Sequence, residues 1–252
     1  MVSLTEDSLW GDDYNSSEDE IKDLIKRSKP KQVKVYTEKS IKSKTVPIEE
    51  KLNIIRANVL RILGVYKENT VVIKTREQLH QYIDSSMSNG VIAVDTETNN
   101  SLVSISCKLM GPCIYTPGQK NAYIPVNHIN PITRERLSWQ LTEKDIKEEF
   151  QRFNNSSTEI IMHNGKFDYQ VIKCTCSLEL RIDWDTLIAA RLLNENERAG
   201  LKEQYISKID PSIEKYSIEH LFEGIEYAVV DPEIFALYAA TDSFMTYKLK
   251  EW

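Results

Sequence analysis

The stretch Val91-Ile-Ala-Val-Asp95-Thr-Glu97-Thr-Asn-Asn100 runs four apolar residues directly into two carboxylates one residue apart. A short Val/Ile run reads as a buried central strand, and residues i and i+2 of a strand share a face. Asp95 and Glu97 are therefore expected to project together from the end of that strand. Two carboxylates at the rim of an apolar core repel one another and resist desolvation, and a bound divalent cation is the commonest remedy. The spacing alone does not decide the matter, because Asp231-Pro-Glu233 repeats it and reads as an ordinary helix start.

Of the 252 residues, 41% are hydrophobic and 28% charged, enough to bury a core in one large domain with an appendage. No apolar run approaches the roughly 20 residues that span a bilayer, and the opening MVSLTEDSLWGDDY lacks the segments of a signal peptide. A soluble, cytoplasmic chain with no membrane partner is expected. Cys107, Cys113, Cys174 and Cys176 lack the spacing of a common zinc knuckle and read as free or buried thiols. A formal charge of -6 disfavours broad polyanion binding, yet a nucleic-acid enzyme with cations and local Lys/Arg at one cleft remains compatible with it.

The first 20 residues carry seven acidic and no basic groups, whereas Lys22 to Lys44 hold nine Lys/Arg against two acids. Such blocks usually form flexible or interacting tails, which sets residues 1–46 apart. Residues 47–70 read as a helical extension with Ile48, Leu52, Ile55, Val59, Ile62 and Leu63 on one face and Gly64 as a stop. Val71 to Ile73 is a short strand and Arg76 to Met87 a helix. Leu102 to Lys108 and Ala122 to Val126 are β-like runs able to pair antiparallel with the opening strand, through loops holding Gly111, Pro112, Pro117 and Gly118. A helix over Thr142 to Phe153, a fourth strand at Glu159 to Met162 and a short fifth at Leu180 to Ile182 follow. Helices are expected at Thr186 to Asn194, Leu201 to Ile209, Ser217 to Phe222 and Pro232 to Trp252. This order is that of an α/β fold, a mixed sheet flanked by helices.

A second chemical stretch is His163-Asn164-Gly-Lys-Phe167-Asp168, directly after an apolar strand. Asn164 suits an N-cap, and Asp168 lies four residues on along the same face. His163 reads as a structural or substrate-contacting side chain rather than a ligand. The third stretch is Tyr238-Ala-Ala-Thr-Asp242, where Asp242 falls within or beside the apolar stripe Ile234, Leu237, Tyr238, Thr241, Met245, Leu249. A carboxylate there needs a partner, either a Lys or Arg or a cation shared with Asp95 and Glu97.

Asp-x-Glu on a strand, Asn-x-x-x-Asp after a later strand and Tyr-x-x-x-Asp on a final helix resemble, in that order, the DEDDy 3′-5′ exonucleases. Trp184-Asp185-Thr-Leu-Ile-Ala-Ala-Arg-Leu-Leu-Asn-Glu-Asn196, followed by Gly200-Leu-Lys202, is similar to the proofreading domain of family A DNA polymerases, particularly phage ones. The resemblance covers residues 71–252 and implies an RNase H-like fold with a five-stranded mixed sheet. It implies two Mg²⁺ or Mn²⁺ ions: Asp95 touches both, Glu97 and Asp242 complete the tighter site, and Asp168 holds the second largely through water. Two cations about 4 Å apart lower the pKa of an attacking water and neutralise charge on the phosphate and leaving oxygen. Tyr238, with an ordinary pKa near 10, is implied to orient that water. Thr96, Leu102 and Asn164 are implied to bind the terminal nucleotide, Leu102 as a wedge against its base.

The implied substrate is a single-stranded or frayed DNA 3′ end, which mismatches expose at lower cost, in bacterial or phage-infected cytoplasm. The final helix runs to Trp252 without palm or fingers segments. A domain excised from a polymerase, or a separate subunit acting beside one, is the expectation. Two alternatives stay open: an RNA-trimming relative, since the acids do not distinguish sugars, and a non-catalytic module that binds DNA or a polymerase.

Overall fold

The computed structural model describes residues 46–99, 105–213 and 220–252. The tail expected over residues 1–46 thus lies outside the described residues except for Val46, as do Leu102 and most of the helix expected at Ser217 to Phe222. The described end of that helix, His220 to Phe222, is turn.

Helix α1, Ile48–Leu63, buries Ile54, Ile55, Val59 and Leu63 and passes into a 3₁₀ turn, Gly64–Asn69. Gly64 keeps a right-handed φ of -59°, so the helix tightens there instead of ending in a left-handed cap. Strand β1, Thr70–Val72, leads into α2, Arg76–Asn89, which opens on a capping box between Thr75 and Gln78. Strands β2, Val91–Thr98, β3, Leu109–Tyr115, and β4, Asn121–Tyr123, are followed by α3, Glu143–Asn154. Thr142 and Asp145 form the capping box of α3. Then come β5, Glu159–Met162, α4, Gly165–Cys176, β6, Trp184–Asp185, α5, Thr186–Leu193, α6, Leu201–Lys208, and α7, Pro232–Glu251.

The sheet has six strands in the order β1-β4-β3-β2-β5-β6. β3 is antiparallel to β2 and β4, while β2, β5 and β6 run parallel. The expected mixed α/β sheet is present, with one strand more than expected, because β1 joins the edge parallel to β4. One face carries α2, α3 and α4 over Ile92, Val94, Phe150, Phe153 and Ile172. The other carries α1 and α7 over Val72, Cys113 and Tyr123, with Phe235 of α7 fully buried among them. The helical extension therefore packs on the sheet.

Two strands depart from the sequence reading. The described part of the Leu102 to Lys108 run, Ile105 to Lys108, is turn and irregular chain, and the strand begins at Leu109. It was obscured because Gly111 and Pro112, which read as loop residues, sit inside β3. Gly111 is needed there: a Cβ would lie 2.2 Å from the Ile124 carbonyl oxygen. The ladder at the sheet's other edge starts at Trp184 rather than Leu180, because the Asp183 carboxylate takes the Ile160 N–H at 2.8 Å and occupies the strand's place.

Candidate active site

β2 places Asp95 and Glu97 on the face covered by α7, at the end where its pairing with β5 has already stopped at Ala93. A register shift between Glu97 and Thr98 follows the second acid immediately. Thr96, between the two acids, points to the opposite face. Its backbone N–H, free of any strand partner on the β5 side, donates to Asp168 Oδ1 at 2.9 Å, and its hydroxyl donates to the same oxygen at 2.6 Å. An acid from α4 is thereby clamped to β2 at the residue between Asp95 and Glu97.

The start of α4 is built differently from the expectation. Asn164 occupies the N-cap position in the left-handed region (φ 59°) and makes no side-chain cap bond. Asp185, at the end of β6, accepts from the N–H groups of Asn164 (3.0 Å) and Gly165 (2.8 Å). The same carboxylate accepts from Leu187 N–H at 2.9 Å, at the start of α5. One side chain thus caps two helices. Gly165 permits the close seat, since a Cβ there would meet Met162 at 2.8 Å. Losing a cap costs about 1 kcal/mol, so Asp185→Ala is expected to lower stability by about 2 kcal/mol in urea unfolding and to release Asp168 from its position.

On the other side, α7 begins with Asp231 accepting from Glu233 N–H and Pro232 in its first turn. That confirms Asp231-x-Glu233 as a helix start. Tyr238 packs edge-on against Phe222, with ring centroids 5.2 Å apart, and tilts against Phe235. Burial first, and the neighbouring acids, hold its hydroxyl well above the ordinary tyrosine pKa, so it stays protonated. One turn further on, Asp242 pairs through Oδ2 with Lys202 Nζ at 2.9 Å, and that ammonium lies 4.6 Å from the Tyr238 ring centroid. Of the two kinds of partner foreseen for Asp242, the basic side chain is present, as Lys202.

The sequence reading gives Lys202, in the Gly200-Leu-Lys202 stretch, no role at the site, and it does not place Cys113 there. Lys202 sits on a polar eight-residue helix without a clear apolar face. Cys113 pairs across the ladder with Asp95, a neighbour that only the register discloses. His163 donates to or accepts from the Thr186 hydroxyl at 2.8 Å, and burial holds its pKa below the ordinary value, which fits its structural reading. Asn164 is exposed beside the cleft, Thr96 is consumed in holding Asp168, and Leu102 lies outside the described residues.

The electrostatics are those of a cation site. Burial first, then the charges of Asp168, Asp242 and Glu97, hold Asp95 well above the usual carboxylate range. Burial and Asp242 push Glu97 up to about 8, while Lys202 opposes the shift. Burial pushes Asp168 up to about 7 against the lowering effect of its Thr96 bonds. One ligand atom each from Asp95, Glu97 and Cys113 lie within 4.8 Å of one another. Asp242 Oδ1 is buried without a hydrogen-bond partner. An orphaned carboxylate oxygen beside crowded acids fits oxygen-ligated divalent cations.

Residues 70–251 match the family described as 3′-5′ exonuclease. The chain is 27% identical over 180 residues to a DNA polymerase I of Borreliella burgdorferi, covering 70% of this chain and 18% of that protein. It is 26% identical over 246 residues to a DNA polymerase I of Treponema pallidum, covering 82% and 23% respectively. It therefore spans about a fifth of the length of these relatives. Among solved structures, Trypanosoma brucei RNase D in complex with RNA U12 has a TM-score of 0.57 at 14% identity, over 78% of this chain and 64% of that one. Brucella melitensis NrnC has a TM-score of 0.50 at 20% identity, over 72% and 76%. These two likenesses establish the fold, an RNase H-like sheet with flanking helices. With the match running through the acid-bearing strand, α4 and α7, the chain belongs to the 3′-5′ exonuclease domain family of family A DNA polymerases.

Proposed function

We propose that the chain removes nucleotides from single-stranded or frayed DNA 3′ ends, releasing 5′-mononucleotides, in the service of a DNA polymerase. The observation that carries this reading is the grouping of Asp95 and Glu97, with ligand atoms within 4.8 Å of one another, beside Asp168 bonded to the intervening Thr96 and Asp242 with one buried, unpartnered oxygen. In this reading residues 71–252 are the exonuclease domain and residues 47–70 its helical extension. The polymerase partner, in cis or in trans, is inferred from relatives named DNA polymerase I.

Asp95, Glu97 and Asp242 would hold one Mg²⁺ or Mn²⁺ on the α7 side of β2, and Asp95 with Asp168 a second. Bound there, such cations supply Lewis acidity and lower the pKa of an attacking water. Asp95 and Glu97, fixed by the β2–β3 ladder, keep their oxygens at one spot of the cleft. Thr96 holds Asp168 in place through its N–H and hydroxyl, and in this reading it also lies against the terminal nucleotide. Tyr238, protonated and wedged against Phe222 and Phe235, donates its hydroxyl proton as a hydrogen bond and so orients the attacking water. In this reading Asn164, exposed at the start of α4, contacts the terminal nucleotide, and Leu102 is assigned as its wedge by resemblance.

RNA 3′-end trimming uses the same residues, and the fold shared with an RNase D solved with RNA favours keeping it as the second reading. A purely binding module leaves the crowded acids without a purpose. The test incubates the protein with Mg²⁺ and matched 5′-labelled DNA and RNA strands. Shortening from the 3′ end, faster on DNA and abolished by EDTA, is the expected result. Faster loss from RNA would replace the substrate assignment, and no cleavage of either strand by folded, Mn²⁺-binding protein would overturn the enzymatic one.

A further inference from the structure

Lys202 belongs to α6, which packs against α7, and its side chain is 12% exposed. Its ammonium contacts Asp242 Oδ2 at 2.9 Å, while the other oxygen of that acid, Oδ1, is buried and unpartnered. The same ammonium lies over the Tyr238 ring. Lys202 also opposes the upward pKa shift that burial and the neighbouring acids impose on Asp95 and Glu97, so its charge reaches both.

We propose that Lys202 is a built-in counter-ion that competes with a divalent cation for Asp242 and, once displaced, binds the phosphate of the nucleotide in the cleft. The inference rests on the reading of Asp242 as a cation ligand. An ammonium and a divalent cation drawn to the same carboxylate repel one another, so both do not keep full contact with it. A lysine stem is long and flexible, and its head is a compact point charge with three donors. The ammonium already lies over the Tyr238 face, and the attraction of the ring for a cation keeps it at the site once Asp242 is taken. From there it faces the anionic phosphate that the acid cluster alone would repel. The metal-free cluster is thus held together by its own chain, and the cation hands that positive charge over to the substrate.

Two binding measurements without any turnover test this. Mn²⁺ affinity is read by electron paramagnetic resonance in the absence of nucleotide, and the affinity for thymidine 5′-monophosphate by calorimetry at saturating Mn²⁺. Lys202→Met is expected to bind Mn²⁺ about tenfold more tightly and the nucleotide about tenfold more weakly, the scale of one charged hydrogen bond. Lys202→Arg is expected to stay near wild type in the first measurement. A lysine with only a structural role would weaken both when removed, and that result, or an unchanged Mn²⁺ affinity, would overturn the proposal. Should Lys202→Met not melt cooperatively, wild-type protein labelled with ¹³C at lysine Cε gives the answer. The Lys202 signal, assigned by its loss in Lys202→Arg, is expected to shift on Mg²⁺ titration, and a signal that ignores Mg²⁺ overturns the proposal. Wild-type protein that binds no Mn²⁺ would overturn both this proposal and the proposed function. Binding without the opposed effects removes only the role of Lys202.

Discussion

Asp242→Asn is expected to slow removal of the DNA 3′ nucleotide by about a thousandfold or more while the protein keeps its fold. The substitution preserves the shape of the side chain and leaves Lys202 an oxygen to donate to, so packing of α6 on α7 is retained. What it removes is a negative ligand at a site where cation charge supplies several kcal/mol of transition-state stabilisation, and about 4 kcal/mol corresponds to roughly a thousandfold in rate. Single-turnover cleavage, with thermal melting as the control, checks it. A loss below about tenfold in folded protein would mean that Asp242 is merely the structural partner of Lys202.

Thermal stability in EDTA is expected to fall as pH rises from about 5 to about 8, and a divalent cation is expected to reverse the fall. Glu97 and Asp168, held up to about 8 and about 7, bind protons in the folded state that the unfolded chain gives up near pH 4. The folded state therefore carries more protons than the unfolded across this window, and stability decreases with pH. The stabilisation is fully present below about pH 4 and is lost as pH rises through the folded values. A shift of about three units corresponds to about 4 kcal/mol, which is about 8–16 °C in a domain of this size. The decisive quantity is the gap between melting temperatures with Mn²⁺ and with EDTA. It should widen between pH 5 and pH 8, and a flat or narrowing gap would count against the acids as cation ligands.

The parts of this fold that were legible in the sequence are those where one periodicity prevails. The apolar run before Asp95 announces β2, and alternation puts Asp95 and Glu97 together. Glu159–Met162 is read to its ends, and Asp231 with Pro232 marks the start of α7. The illegible parts obey contacts between distant segments. β3 carries Gly111 and Pro112 in its interior because a neighbouring carbonyl leaves no space for a Cβ, so composition speaks for a loop where the ladder makes a strand. β6 is only two residues long, shorter than any periodic signal. Asp185 caps a helix that begins 20 residues earlier in the chain, where local reading assigns the cap to Asn164. Lys202 meets Asp242 across 40 residues, and nothing in the polar pattern of α6 marks that side chain as inward. The acids and their grouping were visible, whereas the holding, capping and neutralising roles of Thr96, Asp185 and Lys202 were not.

The register shift after Glu97 has a consequence for how such a domain can change. A strand whose ligands alternate with a core residue is vulnerable to slippage, because moving the chain by one position turns Thr96 toward the cleft and buries both acids. Met110 of β3 is the extra residue, lying between the partners of Glu97 and Thr98, so the Thr98–Leu109 pairing is out of phase with the pairing that holds Asp95 and Glu97. A slip of the pairing beyond Glu97 is therefore taken up at Met110 and does not pass back into the stretch that sets Asp95 and Glu97 on one face.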